Sequence, residues 1–322
     1  MKKWVTPRDG VLFGLLIVLM VIAAKLDPKF VTIRAQTLLS SNIWSLAIVS
    51  VPMLLIIMTE GIDLSVGSIV ALSGVSMGLV FAKTHSIWMG IATAILVGLL
   101  LGWINSWFIA RMKVHPLIVT LATMAMFRGI AEGISRGRSI SNFPDGFQNF
   151  ATNVKFGVPY PGFLFFGLVA LTWFVLTKTR LGRWIIAIGF EENVSIFSGI
   201  PVQRVKFILY SACGIACSLA AIFLIARDNT AKADMGLGLE LEAITAVVLG
   251  GANIEGGTGS VLGLILGLLL IHESREFVSW HWQQSELSNL IVGVLLIGTL
   301  VIENGFSFKK IRQFKWLMAQ SD

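Results

Sequence analysis

Three stretches of the chain set residues able to do chemistry in surroundings that make them costly. In the first, Thr59-Glu60-Gly61-Ile62-Asp63-Leu64-Ser65-Val66-Gly67-Ser68, carboxylates, hydroxyls and glycines stand between the apolar runs 42–58 and 69–82. A carboxylate at membrane depth is expensive and usually functional. Asp63 reads in two ways: as the N-cap of a helix starting at Leu64, taking free first-turn amides, or as a direct contact to a transported molecule. Both fit a broken helix whose end points into a pathway. The second stretch, Gly250-Gly251-Ala252-Asn253-Ile254-Glu255-Gly256-Gly257-Thr258-Gly259-Ser260, holds five glycines in eleven residues and is not an ordinary span. It ends in Gly-Ser before an aliphatic run, as Gly67-Ser68 does, a faint echo between the two halves. Corresponding discontinuous helices line many transport sites; a glycine patch that lets helices approach is the compatible alternative. The third stretch runs from Lys178 to Lys206, basic and patterned. Glu191 to Phe197 reads as a short helix that Ser198-Gly199-Ile200-Pro201 stops. Too polar to span yet presenting Ile196 and Phe197, it suggests a docking surface for a soluble partner.

Other chemistries lack their residues. There is no G-x-x-x-x-G-K-[ST] pattern, so the chain does not itself cradle ATP phosphates. The four histidines, at 85, 115, 272 and 281, make no H-E-x-x-H. Cys213 and Cys217 lie one helical turn apart in an apolar, small-residue run, which favours packing over metal ligation or redox chemistry. No Ser-His-Asp constellation stands out. The expectation is a non-enzyme without metal or cofactor.

The elements that must position these stretches follow from composition. Of 322 residues, 55% are hydrophobic and 13% charged, against about a quarter charged in soluble domains. That excludes a soluble enzyme, a disordered chain and a disulfide scaffold; the solvent is a bilayer. The net charge of +7 sits between apolar runs and faces anionic lipid, not nucleic acid. A span needs about 20 apolar residues. Candidates are 9–24, 42–58, 64–82, 87–110, 115–134, 162–178, 207–226, 241–255, 257–272 and 286–303. The pairs 42–58/64–82 and 241–255/257–272 are weakly separated, each two short helices or one broken helix. The expected fold is an all-α polytopic transmembrane helix bundle of about 8–10 spans with broken helices. It forms a single membrane domain over 1–322. Lys and Arg concentrate in 1–8, 111–114, 179–206 and 304–322, which places both termini, the loop 179–206 and the basic tail 304–322 in the cytoplasm. Residues 1–24 read as a retained first helix, since Ile22-Ala23-Ala24 is not a clean cleavage site. The tail is either an inner-surface helix or a simple positive anchor.

Several motifs together resemble the ABC sugar permeases of the ribose/xylose/arabinose type. They are Gly61-Ile62-Asp63-Leu64-Ser65-Val66-Gly67-Ser68; Pro116-Leu117-Ile118-Val119-Thr120-Leu121-Ala122-Thr123 with Arg128-Gly129; Leu181-Gly182-Arg183 through Glu192-Asn193 and Ser198-Gly199-Ile200 to Arg204-Val205-Lys206; and Ala246-Val247-Val248-Leu249-Gly250-Gly251 with Gly256-Gly257 and Gly259-Ser260. They occur in the family's order over residues 42–303. Ile244-Thr245-Ala246 and Ala252-Asn253-Ile254 are most similar to autoinducer-2 and rhamnose permeases. Three positions depart from the pattern: Glu60 where Gly is expected, Glu255 where a neutral residue is usual, and His272-Glu273-Ser274-Arg275-Glu276 in place of a more neutral stretch.

The resemblance implies a multi-pass permease of the bacterial inner membrane, importing a monosaccharide or sugar-like molecule. Two cytosolic ATP-binding subunits would drive it and a periplasmic sugar-binding protein deliver cargo. A second permease, the same chain or a paralogue, would complete the pathway. Arg183, Glu191, Glu192, Asn193, Ser198 and Gly199 are the expected coupling residues. Asp63, Ser65, Gly67, Asn105, Arg128, Asn253, Gly256 and Thr258 are the expected pathway residues. The alternatives are a branched-chain amino acid ABC permease, an ion-coupled secondary transporter using Glu60, Asp63, Arg128 or Glu132, and, last, a membrane-embedded enzyme.

Overall fold

Backbone amides in hydrocarbon must be satisfied within their own segment, and the chain answers with helix nearly throughout. The computed structural model describes residues 7–155, 158–283, 287, 290–295 and 297–298. The long helices are α1 (Pro7–Leu26), α2 (Ile33–Leu39) running through a 3-10 turn into α3 (Ile43–Ile57), α4 (Val66–Thr84), α5 (Ile87–Ser106) with a π turn at Trp107–Arg111, and α6 (Pro116–Ser135). After α7 (Asp145–Thr152) come α8 (Tyr160–Lys178), α9 (Arg180–Phe190), α10 (Glu192–Phe197), α11 (Val202–Asp228), α12 (Leu239–Leu249) and α13 (Val261–Trp282). Among the described residues the strands are two-residue pairs: β1 (Ile140–Ser141) with β4 (Thr230–Ala231), and β2 (Val154–Lys155) with β3 (Val158–Pro159).

Among the described residues seven helices are long and apolar enough to cross a membrane: α1, α2–α3 as one, α4, α5 with its π turn, α6, α8 and α11. The first doubtful pair resolves into two full spans, because the run at 42–58 begins at Ile33 and α4 carries 19 residues of its own. The second resolves differently. At 11 residues, α12 is about 16 Å long, half a bilayer, and non-helical chain from Ala231 to Gly238 leads into it. Its partner α13 does not end at 272 but runs on to Trp282. Its charged turn is held inside the bundle, where Arg275 pairs with Glu242 of α12. The helix expected to begin at 207 begins at Val202, and α9 occupies residues read only as loop. Half of the candidate span 286–303 lies outside the described residues, as do Lys2, Lys3 and the tail 304–322.

At the centre stands α11, packed on α3, α4 and α5. It meets α5 antiparallel and backbone to backbone: a Cβ on Gly102 would fall 2.6 Å from the Tyr210 carbonyl. Small residues permit that approach, which lipid-phase packing rewards. Ser106 donates to the Phe207 carbonyl at 2.9 Å. At the opposite end of α11, Arg227 Nη1 donates to Asn42 Oδ1 beside the start of α3. Thus α3 descends toward the loop 179–206 and α11 returns from it. On the periphery, α1 leans on α13, where Trp280 Nε1 donates to Asp27 Oδ2 at 2.8 Å. The rest of α1 shows Val11, Phe13 and Val18 outward, as suits lipid contact.

Candidate functional site

Asp63, Ser65 and Asn105 form one buried hydrogen-bonded chain. All three are fully buried. Asp63 Oδ1 accepts the Ser65 amide at 2.9 Å and the Ser65 hydroxyl at 2.6 Å. Asn105 Nδ2 of α5 donates to Ser65 Oγ at 2.7 Å. The cap expectation is corrected in its details. Helix α4 starts at Val66, not Leu64, and its cap residue is Ser65, whose side chain bonds no first-turn amide. Asp63 instead closes an Asx turn one step earlier, because Ile62, Asp63 and Leu64 are non-helical and a short carboxylate satisfies its own chain two residues on. Its Oδ2, the Asn105 Oδ1 and the Tyr210 hydroxyl are buried without hydrogen-bond partners among the described residues.

Gly67 and Arg128 converge on the unwound chain before α12. A Cβ on Gly67 would lie 2.2 Å from the Gly236 carbonyl, so α4 touches that chain backbone to backbone. Arg128 of α6 donates through Nη1 to the Ala233 carbonyl and, at 2.9 Å, to the Met235 carbonyl. Carbonyls that a continuous helix would pair internally are paired by a guanidinium, which presents donors in a rigid fork. Asn253, Gly256 and Thr258 belong to the other end. Asn253 organises its turn: its amide donates to the Thr258 carbonyl and its Oδ1 accepts the Glu255 amide. Thr258 is exposed.

The two glycine-bearing breaks meet, and α9 is wedged between them. The Gly257 amide donates to the Met58 carbonyl at 3.0 Å. A Cβ on Gly189, the penultimate residue of α9, would stand 1.9 Å from the Met58 carbonyl and 2.3 Å from the Gly257 amide. Gly256, at φ +86°, lies against the Gly189 backbone and the Glu60 amide. Glu60 itself adopts φ +60°, the left-handed conformation that favours glycine, which gives its departure from the motif a backbone meaning.

Beyond α9 the chain presents α10. Glu191 caps it in extended backbone, Lys206 Nζ donates to Glu192 Oε2 at 2.6 Å, Asn193 reaches Glu191 at 3.4 Å, and Gly199 ends it at φ +77°. Arg183, Glu191, Asn193, Ser198 and Gly199 are exposed, and Phe197 is 90% exposed beside exposed Phe190 and Val194. A cavity of about 560 Å³ lies between this segment and the α5–α6 turn, lined by Lys113, His115, Asn193, Ile196 and Arg204 among others.

Sequence reasoning missed Tyr210 and the unwound half at 231–238, and met Gly189 only as part of the 181–206 motif, with no role of its own. The motif says nothing of the backbone that Gly189 packs against. The unwound half was legible in principle, since Lys232-Ala233-Asp234-Met235-Gly236-Leu237-Gly238 is too polar and glycine-rich for a span.

Comparison with known proteins gives a consistent result. A family described as "Branched-chain amino acid transport system / permease component" matches residues 33–300. The chain is 33% identical over 297 residues to the "Autoinducer 2 import system permease protein LsrD" of Yersinia pseudotuberculosis serotype O:3 (strain YPIII), covering 90% of this chain and 89% of the relative. The proteins of that name from Y. pseudotuberculosis serotype I (strain IP32953) and Yersinia pestis (strain Pestoides F) show the same identity and coverage. No solved structure matches the chain.

Proposed function

The chain belongs to this family of transport-system permease components, and from that premise we propose how it works: it forms the membrane pathway of a binding-protein-dependent ABC importer for a monosaccharide or sugar-like molecule. It is a multi-pass protein of the inner membrane. The relatives are named for autoinducer 2 import, which favours a sugar-like cargo over a branched-chain amino acid. The partners of such a permease are of three kinds: cytosolic ATP-binding subunits that hydrolyse ATP, a periplasmic binding protein that delivers cargo, and a second permease, the same chain or a paralogue. The loop 179–206 and both termini face the cytoplasm in this reading.

The observation that carries the reading is the wedge. Helix α10 offers Phe197 and Val194 to a soluble partner. Helix α9, one residue upstream, touches both breaks through Gly189. A push on α10 reaches Met58–Glu60 and Gly256–Gly257 without any soft side chain between them. Close-packed elements move as bodies, so the two breaks and the helices they begin, α4 and α13, shift together. Upstream, Arg128 and the Asp63–Ser65–Asn105 chain act as positioning residues that fix the unwound half and the start of α4. The test replaces Phe197 with Glu and Ser198 with Trp in the full chain. Membrane insertion stays normal, uptake is lost, and the ATP-binding subunits no longer copurify. Normal uptake by both variants would refute the docking role.

A further inference from the structure

At the end of the bundle opposite α10 lies a second cavity, of about 390 Å³, walled by α3, α11, α13 and the unwound chain that enters α12. Besides Ser45, its polar lining is made of six groups, Asn42, Arg227, Glu242, His272, Arg275 and Glu276. Arg275 pairs with Glu242, which is 12% exposed. Asn42 bridges the others: its Oδ1 accepts from Arg227 at 3.0 Å and its Nδ2 donates to Glu276 Oε1 at 3.1 Å. His272, 7% exposed, has no hydrogen-bond partner among the described residues. The departure at 272–276 noted in the sequence supplies three of these six groups.

We propose that this cavity is a binding site for a small, neutral, polyhydroxylated molecule. The lining carries two guanidinium and two carboxylate groups; Arg275 is paired with Glu242 and Arg227 with the adjacent Asp228, so no guanidinium is left unpaired to favour an anion. Strong donors and strong acceptors share one space. A hydroxyl is at once donor and acceptor, and neighbouring hydroxyls can meet both kinds of group, whereas an aliphatic amino acid side chain does not. Leu46 and Leu224 also line the space and suit the C–H face of a sugar ring. The volume is at the low end of small-molecule pockets, which run about 300–1,000 Å³, and fits one monosaccharide-sized ligand. The half-helix α12 opens on it with Gly238 as cap and no side-chain cap bond, in keeping with sites built at broken helices. All of the lining residues come from this one chain. The site's place in transport rests on the importer reading; its ligand chemistry does not.

The test uses thiol protection. Ser45→Cys in the cavity wall and Leu237→Cys at its exposed edge are made in the full chain in lipid nanodiscs. Wild type, whose Cys213 and Cys217 are fully buried, is the blank. Reaction with a water-soluble maleimide is followed alone and with D-ribose, L-rhamnose, xylitol, leucine or inorganic phosphate. Both cysteines react, and at least one polyol slows them, by about tenfold when it stands at roughly ten times its dissociation constant. Leucine and phosphate do not, and Glu242→Gln removes the protection. Absence of reaction at both positions, no protection by any polyol, or equal protection by leucine or phosphate would overturn the assignment. ATP-driven sugar uptake with neither cysteine protected would refute this site and leave the importer reading standing. Protection without ATP-driven uptake would do the reverse.

Discussion

At the scale of single residues, Asp63 and Glu60 separate a structural role from an ion-coupling one. Asp63 works through Oδ1, which holds the Ser65 amide and hydroxyl. The amide oxygen of Asn can accept both bonds in the same place, more weakly because it is uncharged. Asp63→Asn therefore retains most uptake and protein level, whereas Asp63→Ala takes the acceptor from both Ser65 donors, at about 1–3 kcal/mol for each one left unpaired, and lowers protein level. Equal, near-complete loss of uptake in both variants at normal protein level would restore the ion-coupled alternative, in which only the charge matters. Glu60 holds φ +60°, a conformation that costs a side-chain-bearing residue about 1–2 kcal/mol. Glu60→Gly keeps uptake and raises the thermal midpoint in nanodiscs; abolished uptake with a stable protein would show that its carboxylate acts chemically. Both residues were legible in the sequence as polar breaks between apolar runs. Their roles were not, because an Asx turn and an N-cap look alike in one dimension, and nothing in the sequence reveals which amide the carboxylate reaches.

Elements transmit what residues hold. Gly189→Ala pushes a methyl into backbone on two sides, at 1.9 Å and 2.3 Å, so the wedge must separate. Overpacking of this kind costs about 1–3 kcal/mol, and uptake falls sharply while the chain still inserts. Gly129→Ala, with nothing within 4 Å, is neutral in the same assay. Arg128→Leu leaves the Ala233 and Met235 carbonyls without their donor, at about 1–3 kcal/mol each if they remain buried. Lys restores part of it, as a point charge lacking the fork, and protein level and uptake should rank Arg, Lys, Leu. An order in which Leu equals Arg would remove the clamp from the account. Helix α10, expected over Glu191–Phe197 and observed over Glu192–Phe197 with Glu191 as its cap, and its stop at Gly199 were readable because capping and termination are local. The wedge was not, since Gly189, Met58 and Gly257 are brought together only by tertiary packing of distant segments. The half-length of α12 was hidden for a related reason. Residues 241–255 are apolar enough to suggest a span, and only the polar, glycine-bearing stretch before them marks the missing half.

For the whole molecule, composition and hydrophobic run length identified an all-α membrane bundle because the bilayer leaves few other solutions. Helix ends were less legible, as α13 shows by carrying its charged turn inward to pair with Glu242. In the proposed function, ATP hydrolysed on a separate subunit moves cargo through this chain by way of α9 and α10. The direct measurement is uptake of autoinducer 2 and a panel of aldoses into proteoliposomes holding this chain, its partner permease and the ATP-binding subunits, with the binding protein outside and ATP inside. Uptake should continue when a protonophore and a sodium ionophore collapse the ion gradients, and stop when enclosed ATP is omitted or Gly189→Ala replaces the wild-type chain. Uptake that needs an ion gradient and proceeds without enclosed ATP would contradict the account.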